Sequence, residues 1–220
     1  MNQEIMRILN LLLPSLWQSI YMVFASTIFS LILGLPLGVL LVITEKGGIM
    51  EKPALNNVLG TVINILRSFP FLILMIVILP LSRLVVGTTI GTTATIVPLS
   101  IAATPFVARV IESSLKEVDR GVIEASLSMG ATPFQIITRV LIPESLPSLI
   151  LGITLTIINI IGYSAMAGAI GGGGLGDLAI RYGYQRYDTH VLIATVIVLI
   201  VIVQVVQIAG SYLAKKVDRR

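Results

Sequence analysis

The chain is 220 residues long, 55% hydrophobic and only 12% charged, with a mean hydropathy of +0.98; this excludes an ordinary soluble domain, in which about a quarter of the residues are charged. A net charge of +4 would suit nucleic acid in a soluble protein, but here the basic residues sit in alternate segments between apolar runs, the pattern of a multi-pass membrane protein. Cysteine is absent, which removes disulfides and thiolate metal sites.

A hydrocarbon core about 30 Å thick is crossed by about 20 mostly apolar residues as α-helix, and five stretches qualify. The first, Ile8 to Thr44, is too long for a cleaved signal peptide and reads as an uncleaved span, preceded by an interfacial turn that ends at Pro14. The second, about Val58 to Leu81, carries a single charge, Arg67, within Arg67-Ser68-Phe69-Pro70. Two readings of Arg67 stand side by side: it snorkels to the interface or caps carbonyls freed by Pro70, or it faces a polar pathway or helix junction, because a lipid-exposed charge is costly. The third run is Leu84 to Ala108.

Next comes the largest polar interruption in the chain, Asp119 to Pro143. It reads as two short helices broken at Gly130. Asp119 caps the first, and Gly130 ends it in the left-handed conformation that other residues adopt only at a cost. Thr132 is the N-cap of the second, with Pro133 at its first position and Gln135 closing a capping box; Pro143 stops it. The fourth run is Ser145 to Gly176, and the fifth is Val191 to Ala214, apolar on every face over Val191 to Val203. Gly34 with Gly38, and Gly168 with Gly172, have the small-residue spacing of close helix packing. Between the last two runs lies Arg181-Tyr182-Gly183-Tyr184-Gln185-Arg186-Tyr187-Asp188, an aromatic and cationic loop suited first to a bilayer interface and second to protein docking.

With five spans and the C-terminus inside, ten basic residues are cytoplasmic (Lys46, Lys52, Arg109, Lys116, Arg120, Arg139, Lys215, Lys216, Arg219 and Arg220) against four outside (Arg7, Arg83, Arg181 and Arg186). The bias predicts a multi-pass protein of the cell (inner) membrane with its N-terminus outside and its polar island in the cytoplasm. Residues 1–220 read as one transmembrane domain with a cytoplasmic segment at about 117–143.

Chemistry of its own is scarce. The best catalytic pairing is Ser164, in Gly162-Tyr163-Ser164-Ala165, with the lone histidine His190 as base, as in an intramembrane serine hydrolase; against it, membrane serines usually bond to a backbone or neighbouring helix. Gly171, Gly173 and Gly176 match a dinucleotide fingerprint in spacing, but no strand precedes them, and they fit a tight turn or a close helix contact better. No Gly-Lys-Ser or Gly-Lys-Thr loop is present to cradle phosphates. Intramembrane acids or histidines, which ion-coupled transporters need, are missing as well. This weighs against ion coupling and favours a partner protein as the source of energy for any transport. On the fourth span, Asn159, Tyr163, Ser164 and Met166 form a polar and polarisable mixture in otherwise aliphatic helix, suited to a pathway or gate, or to ordinary packing.

These residues resemble a known family, the membrane subunits of ATP-binding-cassette importers of the type I fold. That family's cytoplasmic signature is Glu-Ala-Ala, three residues, Gly, nine residues, Ile-x-Leu-Pro. Glu124, Ala125, Gly130 and Pro143 match it, while Ser126, Val140 and Ile142 depart by small changes of size and polarity. The likeness runs over the whole chain and looks closest to the methionine importer permeases, through Asn64-Ile65-Leu66-Arg67-Ser68-Phe69-Pro70-Phe71, Ile123-Glu124-Ala125-Ser126, Met129-Gly130-Ala131-Thr132-Pro133 and Gly162-Tyr163-Ser164-Ala165-Met166. The resemblance implies an all-α permease of five transmembrane helices with a cytoplasmic coupling-helix pair. It implies a homodimer, two cytoplasmic ATP-binding subunits that hold ATP and Mg, an extracytoplasmic substrate-binding protein, no cofactor or metal on this chain, and no nucleic acid. It also implies that Glu124, Ala125, Ser126, Met129, Gly130, Ala131, Thr132 and Pro133 contact the ATPase, and that the chain imports an amino acid, most specifically methionine, by alternating access. A permease for another small polar substrate and the serine hydrolase of Ser164 and His190 are the alternatives.

Overall fold

Pro14 lies in the middle of a helical turn. The computed structural model describes residues 2–218, and in it α1 runs unbroken from Asn2 to Thr44, so the expected interfacial turn ending at Pro14 does not form. Proline removes one amide donor from the ladder; nearby, the Ser15 hydroxyl donates to the Leu11 carbonyl at 2.9 Å. At 43 residues the helix is about 65 Å long, roughly twice the hydrocarbon thickness. Met1, Arg219 and Arg220 lie outside the described residues, and with them two of the arginines counted in the charge bias.

The second expected span is a broken one. Helices α2 (Pro53–Ser68) and α3 (Phe71–Val86) meet at Phe69 and Pro70, where the axis bends by 105°. Proline drives the preceding residue out of the helical region and cannot donate to the previous turn, and Pro70 itself is extended, with φ −58° and ψ 129°. Its carbonyl then accepts from Ile73 and Leu74, each at 3.0 Å, to start α3. Four other helices are long and apolar enough to cross a membrane: α1, α4 (Thr92–Leu115), α8 (Leu146–Gly168) and α10 (Thr189–Val217). Among the described residues the count is four, or five with the bent pair taken as one span. Between α4 and α8 come α5 (Arg120–Ser128), α6 (Pro133–Ile136), a π-turn at Ile137–Leu141 and α7 (Ile142–Glu144). Between α8 and α10 come α9 (Gly174–Leu178) and a second π-turn at Ala179–Tyr184. Every regular element among the described residues is helical.

Contacts group the chain into two compact units. The first comprises Met1–Phe29, Phe69–Ala103 and Ile157–Gln207. In it Met22, Ile96 and Leu99 are buried together beside Phe71 and Tyr163, and a second cluster joins Leu12, Leu175, Leu178 and Val191. Helix α8 stops at Gly168 and the chain turns back on itself: a Cβ at Gly168 would overlap the backbone of Gly176 and Asp177, and one at Gly176 would overlap Ala165. The glycines expected to make a turn or a close contact do both. The Gly174 amide donates to Gln18 at 2.9 Å and the Leu175 amide to Ser19 at 2.8 Å, which pins the returning chain to α1.

The second unit comprises Ser30–Ser68, Thr104–Thr156 and Ile208–Arg220. Its core is Val39, Ile43, Val107, Ile111, Leu115, Val118, Ile136, Leu141 and Leu149. Gly34 and Gly38 let α1 approach α4, because a Cβ at either would sit within 2.7 Å of Val107 or of Ile111 and the Ala108 carbonyl. Side chains of α10 such as Ile197, Val201, Val205 and Ile208 are exposed, as suits a helix that faces lipid.

Candidate functional site

The polar island folds into a knob on the second unit. Asp119 starts α5 by accepting the Gly121 amide at 2.7 Å. At the other end the Gly130 amide bonds to Leu127 at 2.9 Å and the Ala131 amide to Ser126 at 3.1 Å, with Gly130 at φ +80°. This pair of bonds is the Schellman ending, which needs a left-handed residue between helix and exit. Thr132 begins α6 through a full capping box: its hydroxyl accepts from the Gln135 amide at 3.4 Å, and its own amide donates to the Gln135 side chain at 2.8 Å. Two short helices are thus joined by a four-residue corner, Met129 to Thr132, in which every backbone amide has a partner.

Pro143 does not stop the second helix as expected. The helix widens first, with the Ile142 amide reaching back five residues to the Ile137 carbonyl, and Pro143 then occupies the first turn of α7, where its missing donor matters least. The chain enters α8 three residues later.

Burial divides the knob into an inner and an outer face. Ile123, Ala131, Ile137, Val140 and Ile142 pack against the core of the unit, and Ile136, Leu141 and Ser126 are buried. The Ser126 hydroxyl is spent on the Val122 carbonyl at 2.8 Å, so this residue supports the knob from beneath. Outward stand Glu124, Ala125, Gly130 and Thr132, with Met129 81% and Phe134 73% exposed; Pro133 is half-buried. Phe134, Val122 and Leu127 are exposed apolar residues that sequence reasoning passed over. The available signal was an apolar residue at positions that a solvated helix would give to polar ones. Glu124 makes no ion pair among the described residues, and with Lys46, Lys116, Arg120 and Leu127 it borders a groove of about 410 Å³. Burial disfavours the charge of Lys116, but hydrogen bonds and charge from Glu45 and Glu112 outweigh it and hold the pKa above the ordinary 10.5.

The residues proposed from sequence for a pathway divide between the units. In the first, Asn159, Tyr163 and Met166 follow the four-and-three spacing of one helix face. Tyr163 stacks flat on Phe71, with centroids 4.3 Å apart and planes 3° from parallel, and Met166 is 49% exposed. Ser164 turns away: it is buried and donates to the Ile161 carbonyl at 2.8 Å. No hydrogen bond joins it to His190, which is exposed at the start of α10, so the serine-hydrolase pairing does not form. Arg67 belongs to the second unit, in the last turn of α2, exposed and without an ion pair among the described residues.

The tyrosine loop presents Tyr184 and Tyr187, 74% and 87% exposed, while Arg181 and Arg186 lie over the Tyr182 ring at 5.6 and 4.5 Å. Asp188 ends the loop by capping α10 through the Val191 amide at 3.2 Å and by pairing with Arg7. The amide bond, then the Arg7 bond and charge, outweigh burial and lower its pKa below the ordinary 3.8.

Comparison with known proteins gives this geometry a context. Residues 34–220 match the family described as "Binding-protein-dependent transport system inner membrane component". The chain is 54% identical over 211 residues to the probable D-methionine transport system permease protein MetI of Vibrio cholerae, covering 96% of this chain and 94% of that one. It is 48% identical over 181 residues to the methionine import system permease protein MetP of Bacillus subtilis, covering 82% of each. Among solved structures, a chain of the inward-facing MetNI methionine ABC transporter superposes with a TM-score of 0.95 at 43% identity, covering 97% of this chain and 99% of that one. An amino acid ABC transporter at 20% identity and a TM-score of 0.73 shares the fold. The all-helical architecture is therefore that of a type I ABC importer permease. A family match over this length, joined to relatives about half identical from end to end, leaves one conclusion: the chain belongs to the binding-protein-dependent transport system inner membrane components.

Proposed function

We propose that this chain is the membrane permease subunit of an ATP-driven methionine importer, and that the α5–α6 knob is where the work of a partner ATPase enters it. The observation that carries the reading is the two-faced knob: a fully capped helical corner, seated on the core by Ile123, Ala131 and Ile136, with Met129, Phe134 and an unpaired Glu124 turned outward. A rigid projection with apolar anchors and one free carboxylate is what a groove with a cationic rim can grip. Glu124, Ala125, Met129, Gly130, Thr132 and Pro133 are its contact residues, Ser126 and Ala131 its support.

The assembly we infer has two copies of this chain, two cytoplasmic ATPases that carry the ATP and Mg, and an extracytoplasmic binding protein. The whole chain acts as one membrane domain, with the N-terminus outside and the C-terminus and knob in the cytoplasm, as the distribution of Lys and Arg favours. Import proceeds by alternating access. ATP and the loaded binding protein favour the outward-open form because each binds it better than the inward-open one; a ligand indifferent to the two shifts nothing. Asn159, Tyr163 and Met166 on one face of α8, and Arg67 at the end of α2, are the pathway candidates; Ser164, its hydroxyl already bonded, supports their helix from behind.

The docking test is the pair Gly130→Val and Glu124→Arg in membranes. Loss of ATPase association and of uptake is expected; normal association and uptake in both variants refutes the reading. The substrate is tested by binding-protein-dependent import of labelled methionine into proteoliposomes, with other small polar amino acids as competitors. Import of one of these in preference to methionine would replace methionine as the substrate while leaving the coupling intact.

A further inference from the structure

The third apolar run ends at Ala108, but α4 continues to Leu115 and carries Arg109, Glu112 and, one residue beyond its end, Lys116 along one side. Glu112 is buried, and its two oxygens accept from Arg109 at 2.6 Å and from Lys116 at 3.0 Å. Lys116 also reaches Glu45, just past α1, at 2.8 Å. The four charges sum to zero, so the carboxylate taken out of water is compensated on both sides.

The arginine does more than neutralise Glu112. Its other terminal nitrogen donates to α2 twice, to the Gly60 carbonyl at 3.1 Å and to the Asn64 side chain at 2.9 Å. A guanidinium is a planar fork with fixed donor directions, so one side chain holds a carboxylate on its own helix and two acceptors on another. Apolar packing between helices is non-directional, whereas charge-assisted bonds of this kind fix register. Position adds to the argument. Lys116 stands four residues before α5, the first helix of the knob, and Asn64 stands three before Arg67 and five before the helix break at Phe69. A continuous run of bonds therefore links the entry to the knob with the helix that leads to the break.

We propose that Arg109 is a positioning residue for coupling: it locks α2 to the end of α4, so that displacement of the knob is carried into α2 instead of being lost as slippage between the helices. This rests on the reading of α5 and α6 as the ATPase-docking knob. A separate tether, from the Asn56 side chain to the Leu41 carbonyl at 2.6 Å and to Thr44 at 3.2 Å, keeps α2 attached to α1 when the lock is removed.

The test uses the whole complex, permease with ATPase and binding protein, in liposomes, and reads ATP hydrolysed per labelled methionine imported. Arg109→Lys keeps the charge beside Glu112 and removes the fork to α2; Asn64→Ala removes one arm and leaves all four charges. Both variants are expected to retain the ATPase and its basal hydrolysis. ATP used per methionine should rise about tenfold for Asn64→Ala, the scale of one lost charge-assisted hydrogen bond, and more for Arg109→Lys, which loses both bonds to α2. A wild-type ratio in both variants overturns the proposal. So does a parallel fall of hydrolysis and uptake, or loss of the ATPase from Asn64→Ala, since either makes the lock merely structural. Failure of the underlying reading is seen elsewhere: the Gly130→Val and Glu124→Arg variants would both keep normal ATPase association and uptake.

Discussion

Gly130 is the position at which a backbone angle alone should control how well the knob is held. No atom lies within 4 Å of a Cβ built there, and φ is +80°, so a substitution meets no clash and its cost is conformational. An L-residue in this region costs about 1–2 kcal/mol. If the corner relaxes to escape that strain, it gives up the Gly130–Leu127 and Ala131–Ser126 bonds, at about 1 kcal/mol each. A free corner that relaxes in this way must be driven back to the left-handed angle on docking, which costs about 1.5 kcal/mol for Gly130→Ala, close to a tenfold loss in ATPase affinity. Asparagine enters the left-handed region more readily than alanine, and valine less readily than either. The expected order of affinity is Gly, Asn, Ala, Val, measured by titrating the purified ATPase onto permease variants in nanodiscs. Equal affinities across the series, or asparagine as harmful as valine, would refute the reasoning, because a steric or purely local effect would not follow the left-handed propensity.

Other outcomes follow from burial and charge. Gly168→Ala and Gly176→Ala each push a methyl group into backbone that has no room for it; each should lower the melting temperature in detergent by an amount corresponding to about 1–3 kcal/mol, and a neutral result would mean that the two segments part without cost. Ser164→Ala removes a hydroxyl bonded only within its own helix, so uptake should stay at the wild-type level; loss of uptake with the complex intact would place that hydroxyl in the pathway. Asp188 has a lowered pKa, so its contribution is present above the ordinary carboxylate range and is lost as the pH falls through the depressed value. Melting curves of the wild type and Asp188→Asn should accordingly differ at pH 7 and converge as the pH drops below about 4; a gap that stays constant with pH would show that the carboxylate charge plays no part.

The knob was the most legible part of the chain. Its caps are local, and the identity of Asp119, Gly130, Thr132, Pro133 and Gln135 states each in turn, because a cap is a contest among residues within one turn of each other. The membrane character and the small-residue contacts at Gly34 and Gly38 were legible for a similar reason, since the need for apolar length and close approach leaves a direct trace in composition and spacing. Pro14, Pro70 and Pro143 were not. Each removes one donor, yet Pro14 is absorbed into a continuous helix, Pro70 breaks a span by 105°, and Pro143 is accommodated after a π-turn. Which of these happens depends on whether neighbouring groups satisfy the freed carbonyls and on what packs beside the bend.

By itself, then, the sequence determined an all-helical membrane protein with a capped polar corner and no chemistry of its own. Tertiary structure alone decided which side chains that corner turns outward, with Ser126 inside and Phe134 outside, and that Tyr163 lies against Phe71. It also decided that Arg109 lies on α4 and grips Gly60 and Asn64. Caps and hydropathy are summed over neighbours in the chain. Burial, stacking and paired charges depend on residues dozens of positions apart, and no local pattern records their meeting.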